Sequence, residues 1–86
     1  MSKKEKLLNK LKAKPKDFTY QEARTLLEAL GFYEYQRGKT SGSKVAFINK
    51  QTKLEIKIHK PHPGNILKPY QIELILEVIR RLEEKQ

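Results

Sequence analysis

KVAFINKQTKLEIKIH, residues 44–59, is the stretch on which the fold turns. Its first half, KVAFIN, is a run of strand formers. Its second, KLEIKIH, alternates: Leu54, Ile56 and Ile58 on one side, Glu55, Lys57 and His59 on the other. Side chains alternate across a strand with period two, so the second half reads as a strand with one buried face and one wet face. NKQT between the halves suits a hairpin turn. An apolar sheet face must be covered, and the remaining sequence has to supply the cover.

Upstream, Phe32, Tyr33 and Tyr35 favour a further strand, with Phe32 on the side opposite the two tyrosines. Between it and Val45 lies GKTSGSK, residues 38–44, a loop of two glycines and three hydroxyl residues with Lys39 and Lys44 near its ends. Before it, Thr19 and Glu22 have the spacing of a capping box, and Ala23, Leu26, Leu27 and Leu30 follow a helical period that Gly31 stops. That predicts a helix over 20–30. Downstream, KPHPGN forms a polar connector, and Pro69 suits the first turn of a last helix. Ile72, Ile75, Leu76, Ile79 and Leu82 make its buried stripe, widened by Leu74 and Val78. A short lysine-rich helix over 3–13 carries Leu7, Leu8 and Leu11 on one face and ends near Pro15.

The order α-α-β-β-β-α predicts an α+β two-layer sandwich, a three-stranded antiparallel sheet with helices on one face. Residues 1–16 read as a basic N-terminal helical arm and 17–86 as a single domain. With 86 residues the chain supports one modest core. It has no cysteine, which removes disulfides and thiolate zinc sites. It shows neither the apolar run of a signal peptide nor a membrane-spanning length, so a soluble, cytoplasmic protein is expected.

Net charge is +9, unevenly spread. Residues 1–16 hold seven lysines against Glu5, and residues 37–68 hold eight basic residues against Glu55. The two flanking blocks are slightly acidic. Clustered positive charge favours polyanions, with RNA or DNA first, although solvated surface lysine has the same composition.

LLEALGFYEYQRGKTSGSKVAF, then a lysine-rich hairpin, then KPHPGNILKPYQIELIL resembles the HicA family of toxin–antitoxin ribonucleases, from about residue 20 to residue 80. The resemblance implies a double-stranded-RNA-binding-domain-like fold, translation-linked mRNA cleavage, and a HicB-type antitoxin partner that covers the active surface. The family typically carries a catalytic histidine in a Gly-Ser-x-His pattern. Here the run is Gly42, Ser43, Lys44, Val45, so Val45 stands at the histidine's place.

Metal-free RNA scission needs a proton acceptor, a proton donor and stabilisation of the charged phosphorane. Gly42 permits close backbone approach, Ser41 and Ser43 donate hydrogen bonds, and Lys39 and Lys44 bring charge. Lys57 and Lys60 extend the RNA-binding set. His59, on the open sheet face, is the candidate that replaces the absent histidine from the neighbouring strand, or else an ordinary exposed histidine. His62, between prolines, reads as a structural hydrogen-bonding group. The two histidines do not have the spacing of a zinc pair, and neither metal nor cofactor is expected. Tyr33 and Tyr35 either stack on bases or join the core. The last helix offers only Lys68 at its start, so RNA contact belongs to the loop and the open face. Competing readings are a non-catalytic RNA-binding protein of this fold, and an interaction module for an acidic antitoxin-like partner.

Overall fold

The computed structural model describes residues 3–35, 44–60 and 64–85. The elements run α1 (Lys3–Lys12), α2 (Tyr20–Ala29), β1 (Phe32–Tyr35), β2 (Lys44–Asn49), β3 (Glu55–His59) and α3 (Pro69–Lys85). The α-α-β-β-β-α order and the antiparallel sheet, in spatial order β1-β2-β3, are those read from the sequence.

The period-two pattern of residues 44–59 produces the expected faces. Val45 lies opposite Ile58 and Phe47 opposite Ile56. All four are buried beside Leu26, Leu27 and Ile75 from the helices. All three helices contribute to this cover, because α1 places Leu7 and Leu11 in the same core as α2 and α3. Along α3, Ile72, Ile75, Val78, Ile79 and Leu82 are buried. Leu74, expected to widen that stripe, stays outside at 38% exposure.

Asn49 builds the hairpin turn. Its Oδ1 accepts from the Gln51 and Thr52 amides, and its Nδ2 donates to the Leu30 carbonyl at 3.2 Å. One buried amide thus closes the β2–β3 turn and ties it to the end of α2. Gly31 is needed here twice over. Its φ is +96°, and a Cβ would meet Asn49 Nδ2 at 3.2 Å.

The capping box forms as read. Thr19 Oγ1 accepts from the Glu22 amide, and the Thr19 amide donates to Glu22 Oε1, both at 3.0 Å. Lys10 of α1 adds a third contact, its ammonium 2.8 Å from Glu22 Oε2. Burial pushes the Glu22 carboxyl up, but hydrogen bonds from Lys10 and Thr19 outweigh it, so the group is held below its ordinary value of 4.5. A lowered folded-state value gives stability that is present above 4.5 and lost as pH falls through the folded value. Glu22→Gln is therefore expected to cost about 1 kcal/mol at neutral pH. The difference from the parent should vanish in acid, as read from urea unfolding across a pH series.

Candidate functional site

The sheet face turned away from the helices is ordered by strand register. Tyr33, Ile48 and Glu55 form one row across the three strands, and Tyr35, Ala46 and Lys57 the next. In a third row Lys44 is the direct partner of His59. The chemistry-bearing groups of β3 lie here because Ile56 and Ile58 claim the other face.

Lys57 and His59 are exposed on this face, as the alternation predicts. Lys57 Nζ lies 3.7 Å from Glu55 Oε1, with 60% of its side chain exposed. A pair of that length and exposure leaves most of the ammonium's field available to a ligand. Lys60, one residue past the strand, departs from the group. Its ammonium stands 5.8 Å from the ring centroid of Tyr20, the first residue of α2, and so turns toward the helix layer. Lys39, Ser41, Gly42, Ser43 and His62 lie outside the described residues. Val45, at the place the resemblance gives to a histidine, is 3% exposed and sits in the core against Ile58.

Both tyrosines of β1 face the open side. Their ring centroids are 6.3 Å apart with planes tilted by 40°. The Tyr35 hydroxyl donates to Glu55 Oε2 at 2.6 Å, which carries that side chain across β2 to β3. Ala46, the register partner of Tyr35 on β2, is 1% exposed, and its small side chain leaves room for the crossing. Lys50 brings its ammonium to 5.6 Å from the Tyr33 ring centroid. On the opposite face Tyr20 donates from its hydroxyl to Glu34, which Arg24 also approaches at 3.8 Å. Burial first, and then that carboxylate, push the Tyr20 phenol well above its ordinary value.

Sequence reading missed Gln71. It is 2% exposed, and its Oε1 accepts from the Lys68 amide at 2.9 Å while its Nε2 donates to the His59 carbonyl at 2.8 Å. One side chain thus closes the first turn of α3 and fixes the end of β3 where His59 sits. The three-residue step from Lys68 to Gln71 is half of a capping box and was visible in the sequence; the His59 contact was not. Gln71→Leu keeps the volume and removes both hydrogen bonds, at an expected cost of about 1–3 kcal/mol in urea unfolding.

A family model described as "HicA toxin of bacterial toxin-antitoxin" matches residues 20–83. No curated protein and no solved structure matches the chain. No helix among the described residues is long and apolar enough to cross a membrane. The matched segment holds α2, the whole sheet and nearly all of α3, and α1 lies outside it.

Proposed function

Because the chain belongs to the HicA toxin family of bacterial toxin–antitoxin pairs, we propose that it binds RNA across the open sheet face and cleaves mRNA there without a metal ion. The observation that carries this reading is the register of β2 and β3. It sets His59 directly across from Lys44, on the face that Lys57 shares and the helices leave uncovered. In this reading His59 takes the proton from a ribose 2′-hydroxyl as its oxygen attacks the adjacent phosphorus. The O2′–P bond forms and the P–O5′ bond breaks. The departing O5′ takes a proton from solvent, leaving a 2′,3′-cyclic phosphate and a 5′-hydroxyl. Lys44 and Lys57, with Lys39, Ser41, Gly42 and Ser43 of the preceding loop, offset the charge that builds on the phosphorane. Lys60, from its place beside Tyr20, contributes to RNA attraction at longer range.

The proposed partner is a HicB-type antitoxin that covers the same face. Its acidic surface would complement the basic block over residues 37–68, and the proposed place of action is the cytoplasm, where mRNA is translated. A second reading, RNA binding without scission, is favoured by one observation. Val45 fills the histidine's place in the resemblance, and it is buried beyond reach of a substrate. Incubating the purified protein with mRNA in excess chelator separates the two. New ends bearing cyclic phosphate support scission, whereas bound but intact RNA at every pH supports binding alone. RNA affinity that does not fall with added salt would overturn both.

A further inference from the structure

We infer that Tyr33 and Tyr35 form a stacking platform for unpaired nucleobases, so that the RNA taken by this face is single-stranded. The inference rests on the proposed RNA-binding reading and names the ligand form that reading leaves open.

The platform is built from alternate positions of one edge strand. Tyr33 and Tyr35 project from the same side of β1, the outer strand of the sheet. Tyr33 is 42% exposed, although a tyrosine beside Ile48 and Ala46 has apolar surface to hide against. Tyr35 is held across the sheet by its bond to Glu55, over the small Ala46. Nearly orthogonal or buried rings would offer a base nothing, but these two are tilted by 40° at 6.3 Å and present a broken aromatic surface. Every nucleobase has a π-face, and stacking on such rings is tolerant of sequence. A paired base has its faces already stacked within the duplex, so only an unpaired one can use the platform.

The rim decides between RNA and a protein ligand. Lys50 rests over the Tyr33 ring and is itself exposed. A base that displaces this ammonium leaves it beside the adjoining phosphate. Lys57 and His59 border the other side. The acid of this face, Glu55, is engaged by the Tyr35 hydroxyl and Lys57. Aromatic faces edged by cations match a chain of bases and phosphates. Strand spacings place His59 about 12 Å diagonally across the sheet from Tyr35, within the span of a few nucleotides. The platform would therefore hold bases flanking the phosphate under attack.

The test uses the full chain and probes that cannot be cut: a short 2′-O-methyl oligoadenylate, an abasic strand of equal length, and a duplex. Tyr33→Ala is expected to weaken oligoadenylate binding about 5- to 100-fold. It should leave the abasic strand and the duplex unchanged, and Tyr33→Phe should bind as the parent does. Circular dichroism checks that the exposed substitution keeps the fold. Equal losses on the abasic strand, or no loss on oligoadenylate, overturn the platform while leaving RNA binding intact. No binding of any probe by the parent overturns the RNA reading and the platform together. If Tyr33→Ala abolishes binding to an acidic protein partner and spares all three probes, the rings are a protein contact and the inference falls.

Discussion

His59→Ala is expected to slow mRNA cleavage by about 10²- to 10⁴-fold, the usual contribution of a positioned general base. Binding of an uncleavable RNA should change little, because the imidazole is one contact on a face with several cations. The ratio of the two effects is the informative quantity. A loss confined to rate places His59 at the proton transfer. Parallel losses in rate and affinity would make it a phosphate contact, and an unchanged rate would end its candidacy. Gln71→Leu offers a useful contrast, since it disturbs the carbonyl of His59 and leaves the imidazole's own chemistry in place.

Leu11→Ala is expected to cost about 2–5 kcal/mol, the range for truncating a fully buried leucine. Leu11 is 0% exposed although it belongs to α1, which precedes the family-matched segment. For a domain of this size the loss should lower the melting temperature by about 10 °C or more. Removing residues 1–13 would take away Leu7 as well as Leu11, and with them the Lys10 contact to Glu22. That truncated chain should be largely unfolded, because a small domain has only about 5–15 kcal/mol of stability in total. Urea unfolding of both forms checks the expectation. A truncated chain with parental stability would show that α1 rests on the core without being part of it.

The two leucines also show where sequence reading stops. Their shared helix face was legible from spacing, because a 3.6-residue period is a local property. What the face would meet was not, since that depends on α2 and α3 arriving in the same place. The β2–β3 pair was legible almost to the residue, because Ile56 and Ile58 must be buried and Lys57 and His59 cannot be. Thr19 and Glu22 were legible because a capping box needs only neighbours within one turn. Lys60 was grouped with Lys57 on composition, yet one step beyond the strand turned it toward Tyr20. Leu74 was read into an apolar stripe wider than one helix face can bury. The glycine–serine loop, central to the sequence reading, falls outside the described residues.

The strict division of the sheet into two faces has a consequence for engineering. Positions 33, 48, 57 and 59 alternate with the residues that hold the molecule together. A combinatorial library over those four sites could recast ligand preference while the selection pressure for foldedness acts on a separate set of side chains. Adaptation and durability would then be tuned almost independently in one small scaffold.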